Sequence, residues 1–266
     1  MGDRLRPLWD FSDLELSEQR LRAQLAREGS ATGRAEVLTQ LARLEGLRDR
    51  FDEGERLLGE AEALDGSTAV VRARIDLERG RLLRSSGDGP EALPLFESAF
   101  AAALEAGEDF VAADAAHMAA LAAGGREAIL AWTQRGIELA EASDGAGHWL
   151  GPLLNNLGWT FYEAGEYDAA LDAFQRALTA RARDPERPLE IEIARYAVGK
   201  TLRSLGRPVD AAPLLEQAVA WADTHGQADP YFHEELGEIY GALGRTAEAR
   251  EHAREAERLR RLLELG

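Results

Sequence analysis

The chain has 266 residues, with 48 acidic against 31 basic side chains, a formal net charge of −17, and no cysteine. The absence of thiols excludes a disulfide framework, a thiol nucleophile and a thiolate metal site. The acidity disfavours nonspecific binding to DNA, RNA or anionic lipid while leaving room for a locally basic groove. Much of the apolar fraction is Ala and Leu, and Val, Ile and Thr are sparse, which favours helix over strand. The most apolar stretch, FVAADAAHMAALAAGG, is too short to span a bilayer and is interrupted by an Asp and a His. The opening MGDRLRPLWDFSDLELSEQ carries charges where a secretory leader needs an apolar core, so a cytoplasmic protein is expected, with neither membrane nor nucleic acid as partner.

In chain order, the first predicted element is a capping helix over residues 12–29, starting near Ser12 with Glu15 completing a Ser-x-x-Glu capping box. Residues 35–256 then carry six copies of one ladder of small and bulky positions. They read Ala42, Asp49, Gly54, Leu58, Ala61; then Gly80, Gly87, Ala92, Phe96, Ala99; then Ala116, Ala123, Ala128, Trp132, Arg135. The last three read Gly158, Gly165, Ala170, Phe174, Ala177; then Gly199, Gly206, Ala211, Leu215, Ala218; then Gly237, Gly244, Ala249, Ala253, Ala256. Successive copies lie 38, 36, 42, 41 and 38 residues apart, a period that signals a solenoid. In the Gly158 copy, residues 152–163 and 167–182 make two helices around a turn at Gly165. Gly158, Ala170 and Ala177 permit close approach, Phe174 fills the gap beside them, and each hairpin needs its neighbours to bury its stripe. The charged run TAEAREHAREAERLRRLLELG makes a long last helix, with residues 257–266 as its end. Leu259, Leu262, Leu263 and Leu265 offer a route to a homodimer there.

The combination Leu157-Gly158, Phe161, Gly165, Tyr167, Ala170, Phe174 and Ala177, with its repetitions, resembles the tetratricopeptide repeat family. The copies depart from that pattern in their longer spacing and in a displaced or missing proline after the second helix. The resemblance implies an all-α, right-handed alpha-alpha superhelix: one domain over 1–266, about six helical hairpins plus terminal capping helices. It also implies that the first helix of each repeat lines a concave groove, through positions three before, one after and four after the ladder glycine. Those positions hold Thr39, Arg43 and Gly46; Leu77, Arg81 and Arg84; and Ala113, His117 and Ala120. Further on they hold Asn155, Trp159 and Tyr162; Tyr196, Lys200 and Arg203; and Glu234, Glu238 and Gly241. Asn156 lies beside them. The i, i+4, i+7 spacing independently puts each trio on one helical face.

The expected binding residues are Arg81, Arg84, His117, Asn155, Asn156, Trp159, Tyr162, Tyr196, Lys200, Arg203, Glu234 and Glu238. The aromatic side chains suit protein contacts, and the arginines suit bidentate pairing with carboxylates. A competing reading pairs the cations with groove glutamates such as Glu78 or Glu235 and packs Trp159 and Tyr196 between repeats. Two motifs resist a chemical reading. The GKT at 199–201 contains the sole lysine, Lys200, but Ala194 stands where a phosphate loop needs its first glycine, and no strand precedes it. HEELG at 233–237 lacks the second histidine of a zinc helix. The five histidines are therefore expected to be surface or groove residues, with no metal and no cofactor. The function expected is a non-catalytic, protein- or peptide-binding scaffold or regulator, with a partner of acidic character. A self-associating or small-ligand-sensing module is the alternative.

Overall fold

The computed structural model describes residues 3–184 and 187–265. Among them are thirteen α-helices and no strand: α1 (Leu14–Arg27), α2 (Ala31–Leu47), α3 (Phe51–Asp65), α4 (Ala69–Ser86), α5 (Gly89–Ala106), α6 (Asp109–Ala122) and α7 (Arg126–Ala142). They continue with α8 (Leu150–Glu163), α9 (Tyr167–Arg181), α10 (Pro188–Ser204), α11 (Pro208–Thr224), α12 (Pro230–Ala242) and α13 (Thr246–Leu265). The chain divides into two compact units, one running to Leu153 and the other from Leu154, so that the boundary falls inside α8.

Both units are stacks of helical hairpins, and the ladder explains how each hairpin closes. A Cβ added at Gly80 would stand 2.6 Å from the ring of Phe96, and one at Gly158 would overlap the ring of Phe174. Both rings are fully buried. The first helix of each hairpin thus gives up a side chain so that the second can place a ring against its backbone. The turns follow the same ladder: Gly87, Gly165, Gly206 and Gly244 all have positive φ. Asp49 occupies the equivalent place in the first copy and keeps φ at 58°, the one non-glycine residue with positive φ among those described. Asp tolerates this region better than most side chains. The third copy departs: Ala123 is extended at φ −65°, and Gly125, two residues on, takes φ 85°. An alanine pays a steric penalty for the left-handed turn, so the chain shifts its reversal to the next glycine.

The amino-terminal cap also differs from expectation. Helix α1 starts at Leu14, and Asp13 is its N-cap, accepting from the Leu16 N–H at 2.9 Å. The Ser12 hydroxyl instead donates to Asp10 at 2.6 Å. The residues before α1 are tied down as firmly as the helix. Leu5 and Trp9 are buried, the Trp9 indole donates to Gln40 at 2.9 Å, and the buried Arg74 binds Asp3 at 2.5 Å and Glu36 at 3.1 Å. In the last helix Leu259 is buried while Leu262 and Leu263 are 53% and 71% exposed. The Leu265 side chain and Gly266 lie outside the described residues. No described helix is long and apolar enough to cross a membrane.

Candidate functional site

In the amino-terminal unit, α4 and α6 bring Arg81, Arg84 and His117 to one neighbourhood with Arg43 of α2. Arg81 lies between two buried carboxylates, Glu78 at 2.7 Å and Asp114. Burial works against its charge, but these two carboxylates outweigh it, so its pKa rises. Arg84 is exposed and takes no ion pair or hydrogen bond among the described residues. His117 packs its ring 5.3 Å from that of Trp149, and both its Nδ1 and the Trp149 Nε1 are buried without a partner. Burial pushes the imidazole down to about 4, with Arg81, Arg84 and Arg43 adding to the drop and Asp114 opposing it. His117 is therefore a neutral ring at neutral pH.

In the carboxy-terminal unit, the face of α8 presents Asn155, Asn156, Trp159 and Tyr162. Trp159 meets the ring of Phe174 edge-on at 5.0 Å and that of Tyr162 at 5.4 Å. The Tyr162 hydroxyl shares a hydrogen bond with Ser204 at 2.8 Å. Asn155 Oδ1 and Asn156 Nδ2 are buried and unpartnered. On α10, Tyr196 stacks on Phe232 at 5.3 Å, and the Lys200 ammonium lies 5.7 Å from the Tyr196 ring centroid. Lys200 and Arg203 converge on the buried carboxylate of Glu235, at 2.8 Å for the lysine and 3.2 Å for the second guanidinium contact. Burial raises the Glu235 pKa, but the hydrogen bonds and charges of Arg203 and Lys200 overcome it, so the group sits below its ordinary value. Glu234 pairs with Arg260, and Glu238 is exposed. The internal pairing weighed from the sequence thus accounts for Arg81, Lys200 and Arg203, and Trp159 and Tyr196 both pack within their unit.

Replacing Glu235 by Gln keeps the shape and removes the charge that Lys200 and Arg203 share. The expected cost is about 1.5–3 kcal/mol, the range for hydrogen bonds to an ionised group. Urea unfolding of Glu235→Gln checks it, and an unchanged midpoint would show that the cations are already satisfied by water.

The histidines depart from expectation. His233 is buried rather than displayed, and its Nδ1 meets Nδ1 of His252 at 3.0 Å, while its Nε2 faces Asp223 at 3.2 Å. Three helices supply this cluster, which spacing along one helix does not reveal. No group of three or more His, Asp or Glu side chains among the described residues is arranged to hold a metal.

Several contributing residues escaped the sequence reading. Asp114 was visible only as a charge interrupting an apolar stretch, three residues before His117, which is one helical turn. Trp149 ends a three-residue 3-10 helix (Gly147–Trp149) between ladder copies, where the repeat has no position to assign it.

Two models described as tetratricopeptide repeat match residues 115–183 and 196–261, together half of the chain. No curated protein sequence matches significantly. Among solved structures, a signal transduction ATPase with numerous domains and a tetratricopeptide repeat sensor, from Pyrococcus horikoshii, is 14% identical with a TM-score of 0.72. That alignment covers 92% of this chain and only 38% of the ATPase. A Rap protein complexed with competence and sporulation factor is 16% identical with a TM-score of 0.60, covering 98% of this chain and 74% of that one. BtubC from P. vanneervenii is 19% identical with a TM-score of 0.58, covering 92% of each chain. At these identities the likeness is one of fold.

Proposed function

We propose that this chain, which belongs to the tetratricopeptide repeat family, is a non-catalytic module that binds a protein or peptide segment along the ladder-helix faces. The observation that carries the reading is the face of α8. It sets two buried amide atoms without partners, Asn155 Oδ1 and Asn156 Nδ2, beside the aromatic surfaces of Trp159 and Tyr162. Buried polar atoms in folded proteins are nearly always satisfied, by protein or by water. A peptide main chain offers both the N–H and the C=O that these two amides want. The exposed and uncommitted Arg84 supports a partner with acidic character. The Rap protein's complex with competence and sporulation factor supports a binding role for such a fold.

The test is peptide capture from a random display library by the full chain, followed by affinity measurement on Asn155→Ala and Arg84→Glu. Neither side chain is part of a packed ring cluster, so both variants should fold. Asn155→Ala should weaken the selected peptides by roughly tenfold, the value of about one hydrogen bond to a buried group. If selected peptides bind Asn155→Ala as they bind the parent, the face of α8 is not the site; if they bind Arg84→Glu unchanged, Arg84 has no part in choosing an acidic partner.

A second reading, self-association, draws on the exposed Leu262 and Leu263 of α13. Light scattering of the parent and of Leu263→Glu separates it: a dimer that dissociates in the variant supports it, and a monomer at all concentrations removes it.

A further inference from the structure

Arg43 is the one ladder-face cation in the amino-terminal unit that is both half-buried and without an acceptor among the described residues. Its guanidinium lies 5.4 Å from the ring centroids of Trp9 and of Phe11, which stack on each other at 4.9 Å. Among the described residues no carboxylate stands within ion-pair distance of it. The acidic groups whose charge reaches it are Glu78 and Asp114, both engaged by Arg81, and Asp3, engaged by Arg74. A guanidinium carries five N–H donors, and leaving them unpaired in a desolvated place costs far more than pairing them. Burial, together with the charge of Arg81, lowers the pKa of Arg43, which is the electrostatic mark of that shortfall.

Arg43 also lines a cleft of about 140 Å³, walled by Leu47, Leu82 and Met118 and edged by Arg81 and Ser85. Liquid water occupies about 30 Å³ per molecule, so the cleft has room for roughly five heavy atoms. That is the size of a glutamate side chain. Its walls are apolar, as the methylene stem would need, and its polar edge holds a cation and a hydroxyl. Gly46, on the same helix face, keeps the wall open: a Cβ there would stand 2.7 Å from Leu82 Cδ2.

We infer that this cleft is a seat for one acidic side chain of a peptide segment bound on the amino-terminal unit, a glutamate whose carboxylate accepts from Arg43 while its stem lies between Leu47, Leu82 and Met118. The inference rests on the reading that the chain binds a peptide segment and concerns the amino-terminal unit by itself. The aromatic pair from the chain's first residues then has a purpose: its cation–π contact holds the guanidinium in place without taking up its N–H donors, which stay free for a ligand. The rival arrangement is internal. Glu78 Oε2 is buried without a partner, and a rotated Arg43 could reach toward it and fill the cleft.

The experiment titrates the full chain with N-acetylglutamate N-methylamide and, separately, with its glutamine counterpart, following the Trp9 indole N–H and the Arg43 Nε–H by nitrogen-15 NMR. The acid should shift both signals saturably and the amide should not. Arg43→Gln should abolish the response, and Arg43→Lys should retain part of it, because a lysine restores charge without the planar fork. Equal responses to acid and amide overturn the inference. So does an Arg43→Gln chain that still responds at Trp9, or a parent that shows no response at all, as the rotated Arg43 would give. The two readings fail separately. A chain that takes the glutamate probe but captures no library peptide loses the peptide-binding reading and keeps the subsite. Library peptides that bind through α8 with no dependence on Arg43 remove the subsite alone.

Discussion

Phe174→Ala is expected to lower stability by about 3–5 kcal/mol, the range for removing a fully buried aromatic ring. The ring is the bulky rung of its hairpin, packed on the backbone of Gly158 and meeting Trp159 edge-on at 5.0 Å. The companion change, Gly158→Ala, drives a methyl into that ring, with Phe174 Cζ only 2.8 Å from the new atom. Overpacking of this kind costs about 1–3 kcal/mol, and the helix propensity of alanine returns about 1 kcal/mol. The two positions therefore couple. In a Phe174→Leu background the smaller side chain leaves room for the methyl, so Gly158→Ala should be neutral or stabilising there. Urea titrations of both single variants and the double variant complete the cycle. Additivity within about 0.5 kcal/mol would mean that the glycine and the ring do not exclude each other. Because Trp159 touches the same ring, the cycle also involves the face of α8 proposed as the binding site.

The second large effect is acid sensitivity from His117. Its imidazole titrates at about 4 in the folded chain and near 6.5 when unfolded. The unfolded state thus binds a proton that the native state refuses, so stability rises with pH across that interval. The contribution is complete above about pH 6.5 and is lost as the pH falls toward 4, a total of about 3 kcal/mol at 1.36 kcal/mol per pKa unit. His252 is displaced in the same direction, by burial and by the nearby His233, and adds to the slope. Depressed carboxylates such as Glu235 act lower, below their ordinary range near 4.5, which separates the two windows. Unfolding free energies measured from neutral pH down to about pH 5 should fall steadily for the parent and less steeply for His117→Gln. Parallel pH profiles for parent and variant would show that the ring is hydrated in the folded chain, with a water on its orphaned Nδ1.

Much of the candidate site was legible in residue identity but not in partnership. Lys200 and Arg203 were placed on one helical face by spacing alone. What neutralises them is Glu235, 35 and 32 residues away. Arg81 reaches Asp114 over 33 residues. These separations recur because one hairpin brings its first helix beside the next, so a side chain meets a partner a little short of one repeat away. The period therefore carried the pairings implicitly, and reading the repeat as a distance rule would have found them. The segment before α1 had no such rule. Trp9, Phe11 and Asp3 lie outside the ladder, and their docking on Arg43 and Arg74 depends on where α2 and α4 leave their buried cations.

The GKT that contains the only lysine illustrates the division. Sequence alone excluded a phosphate loop there and put Gly199 on the ladder, because a backbone contact needs the missing side chain wherever it occurs in the chain. The same logic determined the helical class, the hairpin turns and the repeat, since each follows from local sterics and from apolar stripes at a fixed period. Tertiary structure alone decided charge and exposure. It neutralised Lys200, Arg203 and Arg81 against carboxylates of adjoining helices, left Arg84 exposed, set Arg43 against the stacked rings of Trp9 and Phe11, and joined His233 to His252. Electrostatic energies depend on distance and burial in three dimensions, and residue order specifies neither until the helices have packed.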